Sequence, residues 1–143
     1  MSALRALVAP LSRGGRFFAR IEVSGSHRAS LAMVASGEAD VAAIDCVVHA
    51  LLVRHRPAAL AGTRPLGRTP SAPAPPFVAR ASAGEATVAR LRVALFQALD
   101  DPALAAARTD LLLGGIDMLP LAAYDRIKAF ERFAARRGYP VLA

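Results

Sequence analysis

The sequence contains one cysteine, Cys46, no tryptophan and few aromatic residues, which make up 6% of its 143 residues. A single cysteine excludes an internal disulfide and a zinc site built from several cysteines. No apolar run approaches the roughly 18 residues that a transmembrane helix needs, so we expect no membrane span. The arginines are scattered and match no recognisable nucleic-acid motif, so we expect no nucleic-acid partner.

Lysine is nearly absent as well. Lys128 is the only one, so arginines carry most of the net charge of +7. GC-rich coding produces the same bias, and the charge therefore decides little about function. With 55% hydrophobic residues and a mean hydropathy of +0.37, the composition is that of an Ala-rich globular domain with a core. The first ten residues lack the apolar length and the cleavage site of a secretory signal peptide.

The first half of the chain predicts alternating strands and helices. Residues 20–24 alternate like a short strand, and the apolar stripe that follows Gly25 predicts a helix ending near Gly37. Residues 40–45 form an apolar run bounded by carboxylates, which is typical of a strand buried in a parallel sheet, and a helix follows to about His55. This order predicts an α/β fold with right-handed crossovers.

The second half is predicted to be mostly helical. Residues 63–76 contain five prolines and form an extended connector, either a solvent-exposed linker or a hinge between lobes. Residues 77–79 can add one short strand. Apolar residues at helical spacing predict helices at 84–99, 101–112 and 120–137 in this half. The same spacing predicts one more helix at the start of the chain, at 3–12.

The turn at residues 24–30 is the strongest local signal for chemistry. A strand that enters a helix through a Gly/Ser turn points unpaired N–H groups and the positive end of the helix dipole at one spot. Ser24 and Ser26 add hydroxyls there and His27 adds an imidazole, which together suit an oxyanion. The alternative, in which Ser26 only caps the helix and His27 is exposed in its first turn, stays open.

Asp45 follows the expected strand at 41–44, at the end where open α/β sheets place ligand groups. It is equally suited to cap the next helix. The only candidate pairs of nucleophile and base are Cys46 with His49, and Ser24 or Ser26 with His27. Cys46 lies in an apolar run that favours an inert core thiol, and residues adjacent in sequence rarely orient as nucleophile and base. We therefore expect no catalytic residue and no metal site.

Several of these segments occur together, at residues 24–31, 34–37, 39–45, 50–52 and 68–78. In this combination the sequence resembles the phosphate, phosphite and phosphonate substrate-binding proteins of ABC transporters, over nearly the whole chain. That family is similar to type 2 periplasmic binding proteins, in which two α/β lobes joined by two crossing segments close over an oxyanion. The resemblance implies a non-enzymatic protein without cofactor that takes a small anionic ligand and meets an ABC permease. It implies the periplasm, although the missing signal peptide leaves the chain as it stands in the cytoplasm.

The resemblance also assigns residues and lobes. It makes His27 the ligand-contacting side chain, with Ser24, Gly25 and Ser26 shaping the turn and Asp45 facing the cleft. It implies a partial ligand-binding α/β lobe at 1–62, built on a parallel or mixed sheet flanked by helices. A hinge follows at 63–76, and 77–143 hold a C-terminal strand and the helices of the other lobe.

Compared with its relatives, the chain is expected to lack an N-terminal lobe core and an earlier Ser-rich turn. Apolar surface is then left open or is buried by self-association, giving a homo-oligomer. Three functions follow: a receptor that binds a phosphorus oxyanion, a truncated fragment that no longer binds and serves as an interaction module, and, least favoured, a small-molecule enzyme on the same fold.

Overall fold

A computed structural model describes residues 1–143, of which 52% are helical. The α-helices are α1 (Ser2–Val8), α2 (His27–Ser36), α3 (Cys46–His55), α4 (Glu85–Asp100), α5 (Ala105–Asp110) and α6 (Asp125–Arg136). Short 3₁₀ helices occupy Ala9–Leu11, Pro57–Leu60, Pro102–Leu104 and Leu121–Tyr124. The chain forms two compact units, one from Met1–Pro73 with Pro120–Ala143 and the other from Ala74–Leu119. None of the helices combines the length and apolar character that spanning a bilayer requires.

The structure contains no β-sheet, so the predicted α/β fold with a parallel or mixed sheet is wrong. The segments 20–24, 40–45 and 77–79 contain no strand, and one antiparallel bridge, between Arg13 and Arg16, closes a tight turn. A strand is stable only when a neighbouring strand pairs its N–H and C=O groups, and none of these segments has such a neighbour. Val41, expected inside a sheet, is 44% exposed.

The helices, in contrast, lie close to where local signals predict them. Ser26 caps the start of α2, and Gly37 ends it with a φ of +80°, in the left-handed region that favours glycine. The helix expected at 3–12 changes after Val8 into the 3₁₀ helix that contains Pro10. Proline has no N–H to donate and its ring crowds the preceding turn, so α1 does not continue.

The main core lies where α1 packs against α6. Its buried residues are Val8, Ala9, Ala134 and Tyr139, and they contact the half-buried Leu4, Phe18 and Leu142. Tyr139 is fully buried, and its hydroxyl donates to the carbonyl of Ala143 at 2.7 Å and accepts from the N–H of Ala143 at 3.1 Å. The same carbonyl accepts from the N–H groups of Phe17 and Phe18 at 2.9 and 3.1 Å, so the last residue is attached to this core.

Polar contacts join α1 to the C-terminal segment at the edge of this core. The Nη1 of Arg5 donates to the carbonyl of Pro140 at 2.6 Å, and its Nη2 lies 3.9 Å from Oε1 of Glu131. The hydroxyl of Ser2 donates to the same Glu131 oxygen at 2.8 Å. Glu131 of α6 therefore interacts with two side chains of α1, the guanidinium of Arg5 and the hydroxyl of Ser2. These two contacts fix the orientation of α1 along α6.

A second, smaller apolar contact positions α2 and α3. Both helices pack against the 3₁₀ helix Pro57–Leu60, and each contributes one buried leucine, Leu31 from α2 and Leu52 from α3. Gly62 follows with a φ of +75°, and a Cβ there would lie 3.4 Å from the Cβ of Ala35. This packing holds the end of α2 while leaving its first turn at the surface.

The unit Ala74–Leu119 contains no buried residue. Within it, Asp101 caps the 3₁₀ helix at Pro102–Leu104 by accepting from the N–H of Ala103 at 2.8 Å. Arg108 of α5 donates to the carbonyls of Ala98 and Asp101 at 3.0 and 2.7 Å, which ties α5 to the end of α4. Hydrogen bonds, more than apolar burial, therefore define the local structure of this unit.

Candidate functional site

The turn that precedes α2 is built by Gly25 and Ser26. Gly25 has a φ of +81°, and no heavy atom lies within 4 Å of the place where a Cβ would stand. Ser26 is extended, with a φ of −157° and a ψ of 157°, and its Oγ accepts from the N–H of Ala29 at 3.1 Å. The capping role that the sequence left open for Ser26 is therefore present.

Ser24 is held in this turn by two hydrogen bonds. Its Oγ donates to the carbonyl of Ser26 at 3.0 Å and lies 2.6 Å from the Oγ of Ser30. A serine hydroxyl has one proton, so Ser30 is the donor in the second bond. Ser24 therefore connects the entering chain to the first turn of α2 instead of presenting a free donor.

Ser30 is the residue that the sequence interpretation missed. It lies one helical turn after Ser26, so a hydroxyl there is directed back toward the segment before the helix. Both Ser24 and Ser30 are half-buried, while Ser26 and His27 are exposed. The spacing of serines at 24, 26 and 30 was the available signal, and only the hydrogen bond between Ser24 and Ser30 shows how it is used.

His27 and Arg28 begin α2 and both are exposed. The N–H groups of these first two residues have no carbonyl to bond within the helix, because they precede its first turn. An anion at this end gains from those donors and from the helix dipole, which is worth about 0.3–1 kcal/mol at a surface. The imidazole of His27 and the guanidinium of Arg28 add further N–H donors beside these backbone groups.

Asp45 is the N-cap of α3. Its Oδ1 accepts from the N–H groups of Val47 and Val48 at 2.9 and 3.0 Å. No hydrogen bond or ion pair joins Asp45 to His27. The structure thus brings Ser24, Gly25, Ser26 and His27 into one turn and gives Asp45 a separate capping role.

Cys46, which the sequence favoured as an inert core thiol, is exposed at the first position of α3. The predicted burial of the Cys46 thiol is wrong, because residues 41–45 do not form a buried strand and the first residue of α3 lies at the surface. No group of three or more His, Cys, Asp or Glu side chains is close enough together to hold a metal ion.

A family model described as ABC transporter, phosphonate, periplasmic substrate-binding protein matches residues 7–118, well over half of the chain. The chain belongs to this family. The phosphonate-binding family match includes the turn before α2, Asp45 and all of α4 and α5, and it ends before α6. Comparison with curated proteins and with solved structures finds no match. The family resemblance inferred from the motifs is confirmed over residues 7–118, and with it the assignment to the substrate-binding components of ABC transporters.

Proposed function

We propose that this chain binds a small phosphorus oxyanion, namely phosphate, phosphite or a phosphonate, at the turn before α2 and passes it to an ABC permease without chemical change. The family supports a substrate-binding component of an ABC transporter that takes a phosphonate-type ligand. The observation that carries the site is the capped start of α2, where Ser26 and the hydrogen bonds of Ser24 fix a turn with exposed donors.

The side chains of this turn divide into supporting and contacting groups. Ser24 and Ser30 are bonded to each other and stabilise the turn. His27 is exposed beside the unpaired N–H groups, so it is the side chain proposed to touch the anion. Gly25 leaves open space on its side of the turn, and a Cβ at its φ of +81° would be strained.

Asp45 is proposed to act on the ligand's organic part. Its Oδ1 is occupied by two N–H groups of α3, so Oδ2 is the atom that would accept from a ligand amine. An asparagine at position 45 keeps an oxygen that can accept from the N–H groups of α3, but it lacks the negative charge. Asp45→Asn is therefore expected to weaken binding of an aminoalkylphosphonate and to leave binding of an alkylphosphonate unchanged.

Isothermal titration calorimetry of the chain with phosphate, phosphite and methylphosphonate tests the site. His27→Ala removes a charge-assisted donor and is expected to weaken binding by about tenfold, which corresponds to about 1.4 kcal/mol. His55→Ala, the same substitution at an exposed histidine on α3, is the control and should leave the affinity unchanged. A folded sample that gives no heat with any of the three anions refutes binding at this turn.

The hinge at 63–76, between the lobes proposed at 1–62 and 77–143, is a prediction of the same kind. The compact units of the structure are divided differently, because 120–143 belongs with 1–73. If 63–76 is a hinge, ligand binding changes the protection of its backbone amides. Hydrogen exchange with and without methylphosphonate measures this, and identical protection of 63–76 in both states contradicts the hinge.

A further inference from the structure

Helix α4 is apolar on two sides. One stripe, formed by Val88, Leu95 and Leu99, is half-buried within its own unit. A second stripe lies roughly a third of a turn further around the helix and is exposed. Its members are Ala86, Ala89, Val93 and Phe96, and the side chains of Val93 and Phe96 are 55% and 39% exposed. We call this second stripe the α4 seam.

The α4 seam has the spacing of a helix that pairs with another helix. Its residues follow one another at intervals of three, four and three positions, which is the a and d pattern of a coiled coil. A surface helix of a globular protein normally has one apolar stripe, with polar residues on the opposite side. A second helix packed on the α4 seam would bury the apolar stripe that α4 leaves in water.

The surface of the chain is large for its mass. It amounts to 10637 Å², whereas a monomer of 14.9 kDa exposes about 7,000 Å². Two wholly separate bodies of the sizes of the two units would together expose about 8,300 Å². The excess over even that value is about 2,000 Å². It is spread over the whole chain, so the chain leaves more apolar surface uncovered than a compact monomer does, and the exposed residues of α4 are part of that surface.

Charges beside the α4 seam favour a second copy of α4 as its partner. Glu85 precedes the first seam residue, and Arg90 lies five positions later on the other edge of the seam. In a parallel pair these positions face each other across the interface, so Glu85 of each copy meets Arg90 of the other. In an antiparallel pair that packs Phe96 on Ala86, the two Arg90 side chains meet and repel each other.

We propose that two copies of this chain associate through the α4 seam, as a parallel pair related by a two-fold axis. Phe96 and Val93 then provide the largest apolar side chains of the interface, and the two Glu85–Arg90 pairs determine the relative direction of the helices. The interface lies on α4 and does not involve the turn before α2, so ligand binding is not a condition of the pairing.

Sedimentation velocity of the full chain, over a concentration range from about 1 to about 500 µM, is expected to show a monomer–dimer equilibrium. Phe96→Glu should raise the dissociation constant by about tenfold or more, because it replaces the largest apolar side chain of the seam by a charged one. Leu91→Glu is the matched control, since Leu91 is 50% exposed on the same helix but lies outside the seam. Far-ultraviolet circular dichroism confirms that each variant is folded.

Charge-exchange variants and disulfide cross-linking then test whether the two α4 helices run parallel. Glu85→Arg alone should weaken the dimer, and Glu85→Arg combined with Arg90→Glu should restore it. In a Cys46→Ser background, Ala86→Cys should form an intermolecular disulfide only in a parallel pair, because antiparallel packing separates the two copies of residue 86 by about 15 Å.

A chain that stays monomeric over the whole range overturns the proposal. A dimer that Phe96→Glu weakens no more than Leu91→Glu overturns it as well, because association then uses another surface. A dimer that needs the seam but shows neither rescue by charge exchange nor the disulfide overturns the parallel arrangement.

Discussion

Replacing Tyr139 by phenylalanine removes one hydroxyl from the main core while keeping the ring that fills it. The hydroxyl makes two hydrogen bonds to Ala143, one as donor to its carbonyl and one as acceptor from its N–H. The carbonyl keeps the N–H groups of Phe17 and Phe18, but the N–H of Ala143 loses its partner. Ala143 is half-buried, so water replaces part of the loss. We expect the free energy of unfolding to fall by about 1–2 kcal/mol.

Urea denaturation followed by circular dichroism measures this change as a lower transition midpoint at constant slope. Ser36→Ala is the control, because its hydroxyl bonds Met33 and Glu38 at the exposed end of α2 and its loss should change stability by less than about 0.5 kcal/mol. A loss for Tyr139→Phe that is no larger than that of the control would refute the conclusion that the C-terminal residue is held by this hydroxyl.

The same assay checks three further substitutions. Gly37→Ala should lower stability by about 1 kcal/mol, since the φ of +80° strains any Cβ although the space is open; an unchanged midpoint contradicts this. Asp45→Ala should lower it by about 1 kcal/mol by removing the cap of α3, whereas Asp45→Asn should nearly preserve it, and equal losses would refute the cap. Ala134→Leu should lower it by about 1–3 kcal/mol, because Ala134 of α6 is fully buried in the core that α6 forms with α1; a tolerated leucine would mean that this contact is loose.

The candidate turn was largely predictable from the sequence because its signals are local. A serine before a helix, a glycine before that serine and a histidine at the first helical position indicate a capped start with exposed donors. The bond between Ser24 and Ser30 was not predictable, because it depends on how the entering chain bends over the first turn of α2. The capping role that the sequence offered Asp45 as an alternative follows from the same kind of local rule and is present, whereas its contact with a ligand stays a prediction.

The predicted strands failed for the opposite reason. Residues 40–45 have the apolar composition of a buried strand, but a strand exists only where a second segment supplies hydrogen-bond partners. The apolar composition likewise indicated a sizeable core, yet few residues are buried and the unit Ala74–Leu119 buries none. Burial depends on which surfaces meet, and composition counts apolar residues without saying what covers them.

The sequence alone determined approximately where the helices lie, the Ser/Gly/His turn and the family, because each rests on neighbouring residues or on their order. Only the tertiary structure decided that no sheet forms, that Cys46 is exposed, and that Tyr139 holds the last residue against Phe17 and Phe18. Each of these depends on a contact between distant segments. Helix capping is satisfied within a few residues, whereas strand pairing and core burial require a partner that local sequence does not name.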